Sequence, residues 1–310
     1  MEKRLLAIVG PTALGKTEVG ILLAEALGGE VVSADSMQVY RGMDIGTAKP
    51  SREQRRRVPH HLIDIMAPDA AFSVAEYQTL ADQAIDDIWS RGKQSLLVGG
   101  SGLYVRAMVG GLDLPVAAPD PELRKQLEEE GRRSGIESLH ARLAAVDQVA
   151  AARIHPHNVR RVIRALEVWE QTGRPISAWW SLDASRKEKY NTRQFGLTAP
   201  RAEVYQRIEA RVDAMLAAGL VEEVKGLLDQ GYGGSLTSMK GLGYAQMAAY
   251  LRGLVSLEEA VRRLKRDTRR FAKRQLTWFR ADRRVEWLDV GDYGGVEEIA
   301  AGIKKRWHDR

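Results

Sequence analysis

Gly10-Pro11-Thr12-Ala13-Leu14-Gly15-Lys16-Thr17 decides how this chain is read. The octapeptide matches G-x-x-x-x-G-K-[ST] in full. It follows the apolar run Arg4–Val9 and opens the helical pattern Glu18–Leu27. Glycines let backbone N–H groups converge on phosphate oxygens, and a helix N-terminus adds positive potential. Lys16 brings a full charge to the terminal phosphates, and the Thr17 hydroxyl is placed to ligate Mg²⁺. The motif specifies a diphosphate or a triphosphate; it does not specify ATP.

Outward from the loop, short apolar runs alternate with helical patterns. Glu30–Ala34 reads as a second strand, ending at Asp35. Phe72–Gly92 has a helix signature, with Ser73 and Glu76 as a capping box and Phe72 and Tyr77 as a staple. Gln94–Val98 is a third strand, followed by Gly99-Gly100. Strand and helix alternating through short links means a parallel α/β sheet. Near Leu112 the pattern changes: LDLPVAAPDPE carries three prolines in eleven residues, a boundary signal. Helices without a convincing strand fill Glu122 to about Trp180. Arg193–Thr198 returns to strand, helices follow at about Arg201–Ala218, Val221–Gln230, Ala245–Leu251 and Leu257–Ala281, and Val285–Val290 could close the sheet. Ser256 and Glu259 form the capping box of the Leu257 helix. The expected fold is an α/β P-loop parallel-sheet core flanked by helices, with an inserted all-helical domain. Its parts are 1–117 (core), 118–195 (helical insertion) and 196–310 (core again, with a basic helix).

Bulk properties narrow the class. The 310 residues hold no cysteine, which excludes disulfides, thiolate catalysis and Cys-ligated zinc. No apolar run is long enough to span a membrane, and the N-terminus does not read as a signal peptide, which favours the cytoplasm. Net charge is +6, yet 261–284 alone carries 11 Lys or Arg against Asp267 and Asp282, a net +9. A polyanionic partner or a solvated helix face would both explain that stretch.

Further stations carry candidate chemistry. Asp35, at a strand's C-terminal end, could be a general base, a Mg²⁺ ligand or a turn residue. Gln38 suits an adenine edge or a plain surface. Gly99-Gly100-Ser101-Gly102 permits close approach of a ligand or is an ordinary turn. Arg207 and Arg211 share one helix face and could hold a diphosphate or form a solvated pair. Arg160 and Arg164 share a face opposite Val159, Ile163 and Leu166, fitting phosphate-backbone contact or a basic surface. His60 and His61 read as structural, since adjacent histidines rarely reach one metal.

Together these stations resemble the tRNA dimethylallyltransferase family. The likeness is carried by GPTALGKT at 10–17, ADSMQVYRGMDIGTAKP at 34–50, HHLID at 60–64, VGGSGLY at 98–104, NVRRVIRALEV at 158–168, GLGYAQM at 241–247 and KRDTRRFAKRQLTWFR at 265–280. Leu14 stands where a smaller residue is usual, Ser101 replaces a more common threonine, and the C-terminal zinc finger of eukaryotic relatives is absent. The resemblance implies a channel through the core, with dimethylallyl diphosphate entering one end and the adenosine 3′ of the anticodon the other. It implies Asp35 as the base on the adenine N6 amine, Gln38 reading the same base, and Mg²⁺ at Thr17. It assigns the diphosphate to Gly10, Pro11, Thr12, Ala13, Leu14, Gly15, Lys16 and Thr17, with an arginine from Arg207 or Arg211. It assigns tRNA contacts to Asp35, Ser36, Met37, Gln38, Ser101, Arg160, Arg161, Val162, Ile163, Arg164, Lys240, Gly241, Leu242, Gly243, Tyr244 and Ala245. The chemistry agrees: an exocyclic amine is a weak nucleophile helped by a base, and a neutralised diphosphate leaves an allylic carbon readily. A monomer binding the anticodon stem-loop is expected. Competing readings are a P-loop small-molecule kinase, an enzyme prenylating free AMP, and an RNA-binding module without chemistry.

Overall fold

Leu5 to Val9 are apolar without interruption, and a strand of that kind must be covered on both faces. A computed structural model, describing residues 3–110, 120–183, 189–234 and 236–309, places this run (β1, Arg4–Val9) inside a six-stranded sheet. The other strands are β2 (Gly29–Ala34), β3 (His60–His61), β4 (Gln94–Gly99), β5 (Asn191–Thr198) and β6 (Val285–Asp289). The order is β3-β2-β4-β1-β5-β6 and every pairing is parallel. Leu5 through Val9 are fully buried, and Leu6 and Ile8 pack in a core that includes Val19, Leu23, Phe195, Ile299 and Trp307.

The remaining elements divide between two compact units. The larger comprises 1–72, 76–109 and 190–310. It holds α1 (Lys16–Leu27), α2 (Arg52–Arg57), most of α3 (Val74–Ser90), and α4 (Gly102–Val109). It also holds α10 (Arg201–Ala217), α11 (Leu220–Asp229), α12 (Tyr244–Leu251), α13 (Leu257–Arg280) and α14 (Val296–His308). The smaller unit, 73–75 with 110–189, is helical: α5 (Pro121–Ser134), α6 (Ile136–Val146), α7 (Gln148–Arg153), α8 (Val159–Thr172) and α9 (Ile176–Asp183). Its own core is built on Leu127, Leu139, Leu143, Val162 and Leu166.

The parallel α/β core and the helical insertion are as expected, but the edges differ. The helical unit ends at 189, not 195, because Asn191 and Thr192 already pair with Arg4 and Leu5 of β1. Neither residue is flanked by an apolar run, so only Arg193 onward announces the strand. The proline-rich boundary falls largely on 111–119, outside the described residues. His60-His61, read as structural, is a two-residue strand against Val31 and Val32. The His61 ring meets the buried Glu30 at 2.8 Å, and Arg91 and Lys93 pair with the same carboxylate. The Ser256 hydroxyl accepts the Glu259 N–H, but the Glu259 carboxylate holds Arg262 and Arg263. That capping box is therefore only half closed. Three helices are additions: α2, with a true Ser51–Gln54 box, α4, and α14, which buries Ile299, Ile303 and Trp307.

Candidate active site

The phosphate-binding motif folds as a loop because its glycines sit where other residues are strained. Gly10 has φ +126°, and a Cβ there would meet the Leu197 carbonyl oxygen at 2.5 Å. Gly15, at φ +79°, turns the chain into α1. Ala13 adopts φ +69° without that freedom, a local strain of the kind that binding loops hold. The Lys16 ammonium donates to the Pro11 carbonyl at 2.6 Å. Beside the loop lies a cavity of about 290 Å³, lined by residues 12–18, Ser33, Asp35, Gln38, Arg211 and Gln275 among others. Gly10 and Pro11 support the loop and do not line the cavity.

Asp35 closes β2. Its Oδ1 accepts the backbone N–H of Met37 at 2.9 Å and of Gln38 at 3.4 Å, so it also fulfils the turn role. The residue lines the P-loop cavity. It also lines a second cavity of about 300 Å³, with Ser36, Met37, Ser101, Lys240, Gly241, Leu242 and Tyr244. Thr12, Thr47, Arg211 and Phe271 border both spaces as well. Burial raises the Asp35 pKa, and the two turn N–H groups, Lys16 and Arg211 pull it back. Burial lowers Lys16 to about 7, with the field of Arg211 adding to the fall and Asp35 opposing it. An upward-shifted carboxylate and a downward-shifted lysine in one cleft are a pairing of the kind found at reactive sites.

A family model, described as IPP transferase, matches residues 38–282. The chain belongs to the IPP transferase family. Among relatives of this chain, the tRNA dimethylallyltransferase of Desulforudis audaxviator is 57% identical, covering 97% of this chain and 98% of its own. That of Geobacter metallireducens is 52% identical, covering 97% of each. The tRNA isopentenylpyrophosphate transferase of Bacillus halodurans aligns with TM-score 0.72 at 47% identity, over 98% of this chain and 97% of that one. A eukaryotic dimethylallyltransferase, captured acting on tRNA, aligns with TM-score 0.81 at 26% identity, over 99% of this chain and 80% of that one.

Within this family member, the expected site residues fall into distinct groups. Arg211 lines both cavities, whereas Arg207 is exposed and bonded to Glu203 one turn away. Of the two arginines, only Arg211 therefore reaches the phosphate loop. Ser101 accepts the Ser36 N–H at 2.9 Å and ties the β4–α4 turn to the residue after Asp35. Gln38 lies on the P-loop cavity, its amide engaged with the Ser33 hydroxyl and the Thr47 and Ala48 carbonyls. A base edge would have to compete for those partners.

In the helical unit, Arg160 and Arg161 are exposed. Val162 and Ile163 are corrected to core residues, 0% and 4% exposed, because the apolar stripe of α8 packs inward. Arg164 pairs with the buried Glu167, which also holds Arg124 and the Asp120 N–H. That makes it a structural arginine as much as a surface cation. In the 240–245 stretch, Lys240 is exposed and Gly241 and Leu242 line the second cavity. Gly243 introduces α12 at φ +91°, and Ala245 is exposed on it. The buried Tyr244 also borders that cavity, and its hydroxyl donates to Glu223.

Sequence reasoning missed Gln275, Phe271 and Glu223. Glu223 accepts the N–H groups of Asp44, Ile45 and Gly46 and so holds the loop beside Thr47. Gln275 had a readable signal: α13 is basic, yet its inner stripe of Ala260, Leu264, Ala272 and Phe279 includes this one buried amide.

Proposed function

We propose that this member of the IPP transferase family transfers a dimethylallyl group from dimethylallyl diphosphate to the N6 amine of the adenosine 3′ of the anticodon. The observation that carries this reading is that two cavities meet at Asp35 and Arg211, one on the phosphate loop and one outside it. A transferase needs such a junction, because donor and acceptor must reach one set of reacting atoms from different sides.

The diphosphate sits on the loop, against Lys16, Arg211 and the N-terminus of α1. As the allylic C–O bond breaks, charge gathers on the departing diphosphate, and these preorganised cations stabilise it. The adenine, flipped out of the anticodon loop, enters the second cavity. Its N6 attacks the allylic carbon while Asp35 accepts the N6 proton. Thr17 and Asp35 both line the donor cavity, and their hydroxyl and carboxylate are hard oxygen donors that suit Mg²⁺. Among the described residues no cluster of three His, Cys, Asp or Glu could hold a metal alone. Thr17 would therefore hold Mg²⁺ together with diphosphate oxygens, and the ion would add charge against the leaving group. The basic α13, Arg160, Arg161 and Lys240 supply the phosphate-backbone contacts. No described helix is long and apolar enough to cross a membrane, and we place the enzyme in the cytoplasm as a monomer.

One incubation tests the reading. The protein is given labelled dimethylallyl diphosphate with tRNA, with AMP, or with neither. Label entering tRNA supports it. Label entering AMP alone would make this a free-nucleotide prenyltransferase. Phosphoryl transfer in a parallel incubation with ATP, without any prenyl product from the labelled donor, would make it a kinase.

A further inference from the structure

Gln275 stands apart from the cations of α13. It is 6% exposed, and its two amide atoms are divided between two stations of the site. Oε1 accepts the N–H of Thr12, inside the phosphate loop, at 2.9 Å. Nε2 donates to the carbonyl of Gly100, in the turn after β4, at 2.9 Å. The fit is tight enough to dictate a neighbour: a Cβ at position 100 would lie 2.2 Å from Nε2. The next residue, Ser101, accepts the Ser36 N–H beside Asp35. One amide thus connects the donor loop, the β4 turn and, through Ser101, the strand end that carries the carboxylate.

We propose that Gln275 is a positioning residue that sets the spacing between the phosphate loop and Asp35. This rests on the prenyl-transfer reading and adds to it. Transfer requires the allylic carbon and the N6 amine to meet within near-attack range, and a misplacement of about 1 Å can lower the rate about 10²-fold. Glutamine is suited to the task because its amide is planar, uncharged and both donor and acceptor. A charged residue at this place would change the field at the donor cavity, which Gln275 also lines. A leucine or methionine would leave the part-buried Thr12 N–H and the buried Gly100 carbonyl without this partner.

The experiment compares single-turnover prenyl transfer to tRNA, at saturating substrates, per donor site titrated. Normalising to titrated sites removes any loss from unfolded protein. Gln275→Met should lower that rate about 10- to 100-fold while the donor Kd stays within about threefold. Gly100→Ala keeps the glutamine but pushes it from its seat, and should reproduce the defect. The double variant should be no worse than the poorer single, since both act on one contact. Gln275→Glu still accepts from Thr12 but sets a carboxylate on the donor cavity, and should weaken the donor at least tenfold. A folded Gln275→Met protein transferring at the wild-type rate per titrated site would reduce Gln275 to a fold staple. If that variant does not fold, Gly100→Ala decides the question in its place: a wild-type rate there overturns the positioning role. Wild-type protein that never prenylates tRNA would remove the parent reading before any variant is compared.

Discussion

Lys16 and Asp35 line one cavity and oppose each other's burial. Enclosure drives the lysine down to about 7 and the carboxylate up, and the field of each partly reverses the shift of the other. Burial thus disfavours the charged form of both groups.

For Asp35 the consequence is both kinetic and thermodynamic. Asp35→Asn keeps the acceptor oxygen for the Met37 and Gln38 N–H groups but cannot take a proton. Single-turnover transfer should fall about 10²–10⁴-fold with donor binding unchanged. The wild-type rate should rise with pH through the raised Asp35 pKa and then level, and the variant should lack that acidic limb. A folded-state pKa above the unfolded value means that stability is lost as pH rises through it. The variant should therefore melt higher than wild type at pH 7, with the gap closing below the usual carboxylate range. A rate restored by added Mg²⁺ would reassign Asp35 to the metal.

Donor affinity should depend on Lys16 above neutrality. Below about pH 7 the free protein already holds the lysine charged; above it, binding a diphosphate must recruit a proton. Between about pH 7.5 and 9 the donor Kd should weaken by up to tenfold per unit, the full linkage of one proton. Titration calorimetry in two buffers of different ionisation heat should show proton uptake. Lys16→Arg keeps its charge and should show none.

The two arginines of α10 should separate cleanly. Arg211→Ala should lower single-turnover transfer about 10²-fold, as loss of one donor to a charged leaving group does. Arg207→Ala removes only an exposed pair with Glu203 and should stay within about twofold. Equal losses at both positions would contradict the geometry.

Salt dependence should distinguish the arginines of α8. Arg160→Ala with Arg161→Ala should flatten the slope of log K against log salt for tRNA by about one per lost contact. Arg164→Ala takes one partner from the buried Glu167 and should destabilise the helical unit by about 1–3 kcal/mol. Thermal melting and salt titration of the same variants read the two effects separately.

The sheet was legible in the sequence wherever apolar runs met glycine. Leu5–Val9 and Leu96–Val98 are strands bounded too tightly for a helix, and the loop between β1 and α1 has one familiar spelling. His60-His61 was not legible as a strand, because two residues carry no period. The site was legible where one residue type dictates the chemistry, as with Lys16 and Asp35. It was illegible where function depends on which way a helix faces. Arg207 and Arg211 look alike in sequence, and only the packing of α10 decides that Arg211 turns inward. Gln275 was hidden by its neighbours, since eleven cations in the same stretch draw the eye to the outer face.

The phosphate loop is written near residue 10, yet it is walled by residues far downstream. Gly10 abuts the Leu197 carbonyl, Thr12 is held by Gln275, and Gly15 packs under Val296. On a ribosome adding about 5–20 residues per second, Val296 follows Thr17 by roughly 15–60 s. During that interval the nascent chain can pair β1, β2 and β4 but cannot finish the loop's surroundings. The walls of the anion cradle are therefore complete only after the basic helix and the final strand have emerged. A chain halted before α13 would lack Gln275 and Val296, and with them two of the contacts that wall the phosphate loop.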